Sequence, residues 1–125
     1  MKVLCTVKFN QCSEEKTKEY KKKYNLKEII FDDGYYEALI DDIPRALISV
    51  TKANYFKGWD DVLSIDAFEV FEKGNGYGSL IIKEFINLKV CITPLESAIS
   101  FWEKHGFKNF DGENYINFDP DFKKS

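Results

Sequence analysis

VLSIDAFEVFEKGNGYGSLIIKEF, residues 62–85, passes from one apolar segment to another through glycines at 74, 76 and 78. The first segment alternates apolar and polar residues, the period of a half-buried strand. In the second, Ile81, Ile82, Phe85 and Ile86 fall on one face at helical spacing, with Lys83, Glu84 and Asn87 opposite, which predicts a helix over 79–88. Glycine inside a strand or helix costs roughly 0.5–1 kcal/mol relative to alanine, so a cluster of it marks a tight turn or a place where another molecule approaches the main chain. A glycine loop that leaves a strand and enters a helix presents several N–H groups and the positive end of the helix dipole, a setting suited to an anion and above all to phosphate.

The strand itself changes phase. Leu63, Ile65 and Ala67 are apolar at odd positions, with Ser64 and Asp66 between them; from Phe68 and Val70 the apolar set is even, with Glu69 between. An inserted residue, a β-bulge, produces that change, and it predicts a bulge near Ala67–Phe68 with Asp66 and Glu69 projecting from one face.

Working outward, KVCIT (89–93) reads as a short strand. A helix follows in which Thr93 is the expected N-cap, Pro94 the first helical residue and Glu96 the partner in a capping box. Gly106 closes it, with Phe107 placed to pack back on Trp102 or Phe101. His105, the single histidine, sits in the last turn, where a cation suits the dipole better than catalysis does. Asp111-Gly112 between two strand-like runs predicts a terminal hairpin. Towards the amino terminus, residues 2–9 alternate as a strand, with Val3, Cys5, Val7 and Phe9 on one side. SEEKTKEYKKKY (13–24) is a helix with acidic residues first and lysines last, and Tyr20 and Tyr24 as its apolar stripe. Its lysines at 21–23 read as a solvated face. Residues 35–42 and 45–52 flank Ile43-Pro44 as a hairpin. The sum is an α/β or α+β domain with a mixed sheet.

A chain of 125 residues, 44% hydrophobic and 31% charged, is expected to form one domain, 1–125, with no room for a second core. No apolar run approaches the roughly 18 residues that span a bilayer, and MKVLCTVKFN lacks the pattern of a secretory leader, so a soluble cytoplasmic protein without a membrane partner is expected. Cys5, Cys12 and Cys91 form no CxxC pair, which argues against disulfides and a metal site and for buried free thiols. A net charge of −3 argues against a nucleic-acid partner. Two familiar phosphate loops do not fit: the dinucleotide fingerprint needs glycine at 79, where Ser79 stands, and the P-loop needs a Gly-Lys pair that is absent.

Lys73-Gly74-Asn75-Gly76-Tyr77-Gly78 instead resembles the Arg/Gln-x-x-Gly-x-Gly/Ala loop of the GCN5-related N-acetyltransferases, and Ala98-Ile99-Ser100-Phe101-Trp102-Glu103-Lys104-His105-Gly106-Phe107 is similar to that family's A-x-x-F-Y-x-K-x-G-F segment. The likeness covers about residues 35 to 118. It implies a mostly antiparallel mixed sheet of six to seven strands with flanking helices. It also implies acetyl-CoA as co-substrate, with no metal, its diphosphate on Lys73, Gly74, Asn75, Gly76, Tyr77, Gly78 and Ser79 and its arm beside Phe68, Val70 and Trp102. The sequence departs from the pattern where Trp102 replaces a tyrosine credited with protonating the leaving thiolate, and where Leu95 replaces a cofactor-contacting asparagine. Trp102 also reads as a core anchor beneath Phe107.

The implied reaction is acetyl transfer from acetyl-CoA to an amine. Glu69 is the candidate base and Asp66 the second, each also readable as a structural carboxylate; a main-chain N–H near Val70 would polarise the thioester carbonyl. Acidic pairs at Asp32-Asp33, Asp41-Asp42 and Asp60-Asp61 would suit a cationic acceptor, but nothing in the sequence selects one. A homodimer is compatible with the sequence. The competing expectation is a non-catalytic module that keeps the fold and binds CoA or a protein.

Overall fold

The computed structural model describes residues 5–53 and 61–119. Val3 and Asp60, expected in the first strand and in an acidic pair, lie outside them. Among these residues, the strands are β1 (Val7–Gln11), β2 (Tyr36–Ile40), β3 (Ile43–Lys52), β4 (Leu63–Val70), β5 (Val90–Ile92), β6 (Lys108–Asn109) and β7 (Tyr115–Ile116), hydrogen-bonded in the order β1-β2-β3-β4-β5-β7-β6. The β4–β5 pair is parallel, whereas β1–β2, β2–β3, β5–β7 and β6–β7 are antiparallel. The helices are α1 (Glu14–Tyr24), α2 (Tyr77–Ile82) and α3 (Ile99–Lys104). The chain gathers into two compact units: residues up to Ser49 with Ala67–Glu84, and Val50–Asp66 with the residues from Phe85 onward.

In the first unit, α1 forms as its sequence dictates. The Ser13 side chain accepts the Lys16 N–H at 3.1 Å, Glu14 and Glu15 occupy the first turn, and Asn25 ends the helix in a left-handed conformation at φ 52°. Tyr20 and Tyr24 lie on Phe71 with ring centroids 4.6 and 4.5 Å apart, beside Cys12, Ile29, Tyr35 and Leu47. Burying a side chain such as Phe71 contributes about 1.5–3 kcal/mol. A second cluster joins Ala38, Ile40, Ala46 and Ile81 to Phe68, Val70, Tyr77 and Leu80. Ala67 and Phe71 thus pack on the first cluster while Phe68 and Val70 pack on the second. β4 runs unbroken through the Ala67–Phe68 step, where both residues are half-buried.

The β2–β3 hairpin turns at Asp41 and Asp42, both at positive φ (51° and 68°), and not at Ile43-Pro44, which belong to β3. Two left-handed residues give the turn whose twist matches the flanking strands. The register shifts within this pair: Ala38 faces Ala46 and Leu39 faces Pro44, so Arg45 is an extra residue in β3. Proline has no N–H for a ladder, and a bulge is one of the few places a strand accommodates it.

In the second unit, Leu63–Ile65 pair with Val90–Ile92, and Ala53, Val62, Cys91 and Ile116 form a cluster with Phe118 against it. The Asn117 side chain accepts the Val90 N–H at 2.8 Å and donates to the Leu88 carbonyl at 3.0 Å. The end of α3 follows the sequence: Gly106 is left-handed at φ 91°, the Phe107 N–H returns to the Trp102 carbonyl at 3.1 Å, and their rings meet edge-on at 5.2 Å. Its start does not. A 3₁₀ turn over Glu96–Ala98 precedes α3 with no side-chain cap, and the Thr93 hydroxyl bonds Asn114 Oδ1 at 2.9 Å instead of serving a capping box. The hairpin at Asp111-Gly112 forms as expected, with Gly112 at φ 95°.

Three further expectations are corrected. The helix after the glycines begins at Tyr77, ends at Ile82 and tightens into a 3₁₀ turn over Lys83–Phe85, which swings Ile86 off the buried face to 66% exposure. Cys12 and Cys91 are buried free thiols, but Cys5 is exposed. Lys21 is not simply solvated: its ammonium bonds the Ile30 carbonyl at 3.1 Å and Asp32 Oδ1 at 2.9 Å. Among the described residues, no helix is long and apolar enough to cross a membrane, and no group of metal-ligating side chains is assembled.

Candidate functional site

The first unit holds the downstream half of β4, the glycine loop and α2 together. Phe68 and Val70 seat one face of the strand on the cluster that also holds Ile81, Tyr77 and Leu80, so strand and helix are fixed by the same apolar contacts. Between them Glu72, Lys73, Gly74, Asn75 and Gly76 are exposed. Gly74 and Gly76 take φ of 89° and 75°, and a Cβ built on either meets nothing within 4 Å. Conformation, then, and not space, requires glycine at both positions. Gly76 is the N-cap of α2, its carbonyl accepting the Leu80 N–H at 3.2 Å. No side chain caps this turn and no acidic residue lies in it. Gly78 and Ser79 fall inside the helix, whose first turn they form with Tyr77.

Glu69 is 6% exposed. Its Oε1 accepts the Lys27 and Glu28 N–H groups, each at 2.8 Å, and its Oε2 accepts Lys27 N–H at 3.0 Å. These successive amides, shortly after the left-handed Asn25, converge on one carboxylate, a small anion nest already occupied from within. A general base must offer a lone pair to the proton it removes. Here the lone pairs fasten the segment after α1 to β4, the structural role that the sequence left open beside that of a base. Asp66 differs: it is exposed, and its two oxygens accept from the Thr51 and Ser64 hydroxyls at 2.6 and 2.7 Å. Trp102 lies in the second unit, 6% exposed, edge-on to both Phe101 and Phe107. That is the core-anchor arrangement beneath Phe107, one of the two readings the sequence offers for it.

A second polar group is buried under α1. Glu37, 5% exposed, accepts from the Tyr20 hydroxyl at 2.6 Å and from Lys16 Nζ at 3.1 Å. Burial, then the hydrogen bond to Glu37 and its charge, push the Tyr20 hydroxyl well above the ordinary phenol range. Burial likewise raises the Cys12 thiol, opposed by the Thr17 hydroxyl 3.3 Å away. The Tyr20 and Lys16 bonds to Glu37 lock α1 to β2, and none of these groups belongs to the glycine loop.

Arg45 and the paired amides of Lys27 and Glu28 escaped the sequence. No motif marks them; the proline beside Arg45 within a strand was the available signal.

No family model matches the sequence, and no curated protein matches it. Solved structures do. The Bacillus subtilis N-acetyltransferase YlbP in complex with coenzyme A is 19% identical with a TM-score of 0.62, over 90% of this chain and 95% of that one. YhhK from E. coli, bound to coenzyme A, is 18% identical at a TM-score of 0.58 over 90% and 98%. Ard1 from Thermoplasma volcanium is 18% identical at 0.56 over 91% and 95%. The chain has the fold of the GCN5-related N-acetyltransferases, as the resemblance implies.

Proposed function

We propose that this protein is an N-acetyltransferase that moves the acetyl group of acetyl-CoA to a primary amine, within a single catalytic domain. One observation carries the reading: an uncapped loop with two left-handed glycines joins β4 to α2 in a fold shared, over nine-tenths of the chain, with structures that hold coenzyme A. The diphosphate would rest on the main chain from Gly74 to Ser79, with Lys73 supplying charge, and the pantetheine arm would follow β4 past Phe68 and Val70.

The amine nitrogen attacks the thioester carbonyl, the C–S bond breaks, and CoA leaves as thiolate. An alkylammonium of pKa near 10.4 must first lose a proton, at a cost of about 4.6 kcal/mol at pH 7, whereas a thiol of pKa about 8.5 departs with little help. Removing the amine proton is therefore the harder task. Asp66, exposed and held among the described residues by two hydroxyls that can rotate, suits that task better than Glu69, whose bonds are to fixed main-chain amides. A main-chain N–H near Val70 would steady the developing oxyanion. With an indole at position 102, the thiolate would take its proton from solvent.

Calorimetry with coenzyme A, followed by thiol release from acetyl-CoA against a panel of primary amines, tests the proposal. Saturable binding with amine-dependent release is expected. Binding without turnover on any amine would point to a non-catalytic CoA module, a reading that the engaged Glu69 carboxylate and the buried Trp102 favour. No heat with millimolar coenzyme A would overturn both.

A further inference from the structure

The β2–β3 register leaves Arg45 over as a bulge, and the bulge is tied to the end of β4, because the Arg45 carbonyl accepts the Phe71 N–H at 2.8 Å. The side chain continues in the same direction. Its guanidinium carbon lies 4.4 Å from the centre of the Tyr77 ring, and its Nη1 lies 3.6 Å from Glu72 Oε1. Glu72 immediately precedes the exposed stretch from Lys73 to Gly76, and Tyr77 immediately follows it. One side chain thus touches both ends of the glycine loop.

The two contacts differ in strength. The Glu72 carboxylate is 59% exposed and the separation is long, so the ion pair is weak. The Arg45 side chain is 24% exposed, and a partly desolvated cation over an aromatic face is the stronger attraction. Arg45 Nε is buried without a hydrogen-bond partner among the described residues. Such orphaned donors are unfavourable and uncommon in folded proteins. A side chain needed only to fill the space beside Tyr77 would do so better as methionine or leucine. The chain keeps a guanidinium there at a loss to its own hydrogen bonding, the mark of a residue that serves a neighbouring site.

We infer that Arg45 is the positioning residue of the glycine loop: it braces Glu72 and Tyr77 so that the amides between them are ordered before a diphosphate arrives. The inference rests on the coenzyme A reading above. Preordering raises affinity by lowering the entropy that binding must remove, without contact between Arg45 and the ligand.

Arg45→Met and Tyr77→Leu, singly and together, decide it in two measurements. In the unliganded protein, exchange of the Leu80 amide, which bonds the Gly76 carbonyl at the loop's end, should quicken about tenfold in either variant while the β1–β2 amides keep their rates. In calorimetry, each single variant should weaken coenzyme A about tenfold, and the double variant no further than either, because both remove the same brace. Unchanged Leu80 exchange, or losses that add in the double variant, overturn the inference. If Arg45→Met does not fold, Tyr77→Leu alone decides by the same two readouts. If the wild-type protein takes up no coenzyme A, the functional reading fails, and Leu80 exchange still judges the brace.

Discussion

At the scale of single residues, the most informative is Glu69, because its environment separates two roles that its type leaves open. A carboxylate that accepts from three N–H contacts at 2.8, 2.8 and 3.0 Å works as a fastener. Glu69→Gln turns one acceptor edge into a donor facing a main-chain N–H, and should lower stability by about 1–3 kcal/mol, seen as a shifted urea midpoint at constant slope. The pH profile of thiol release should keep its shape in that variant. Asp66→Asn, in contrast, should reduce kcat/KM about 100-fold and flatten the acidic limb of the profile, since the exposed carboxylate is the proposed proton acceptor. If the two variants exchange these phenotypes, the assignments exchange with them.

Among the elements, the segments with strong local signals were legible in advance: α1 with its acidic first turn and basic last turn, the Gly106 close of α3, the Asp111-Gly112 hairpin and the order strand, glycine loop, helix. Each is decided by contacts within a few residues. Several of the failures share a cause. Thr93 satisfies Asn114, 21 residues away, instead of its own helix, and Lys21 binds carbonyls 9 and 10 residues on, so tertiary partners overrode local preference. The Glu69 fastener, 41 and 42 residues from its donors, was illegible for the same reason. For the glycine loop the sequence offers a tight turn or a close approach, and Gly74 and Gly76 at positive φ supply the conformational half of that reading. Gly76→Val places a β-branched residue at φ 75°, which such residues avoid, although nothing within 4 Å obstructs its Cβ. We expect coenzyme A binding to disappear in calorimetry while circular dichroism still shows the folded chain. Retained affinity would move the diphosphate elsewhere.

For the molecule as a whole, stability should fall at both ends of the pH scale, for separate reasons. Asp111 is fully exposed, and its carboxyl is held below the usual range first by the Asn114 side chain and then by the Asn114 and Glu113 amides. A depressed folded pKa gives stability that is present above the unfolded value near 3.9 and lost as pH falls through the folded one. Tyr20 and Cys12 are raised, chiefly by burial. Their contribution is complete below the unfolded values, about 8.5 for the thiol and 10 for the phenol, and drains away as pH climbs beyond them. Thermal melts from pH 8 to 11 should therefore show a steepening decline, and Tyr20→Phe should remove the part above pH 10. An equal slope in that variant would assign the decline to other groups.

The first unit is assembled from two stretches that the chain delivers at different times, residues up to Ser49 and Ala67–Glu84. During synthesis, α1 emerges long before Phe71, the ring on which Tyr20 and Tyr24 rest, and before the carboxylate that secures Lys27 and Glu28. A nascent chain cut short at residue 66 therefore carries the helix without its seat, and translation must pass Phe71 before the amino-terminal third can close.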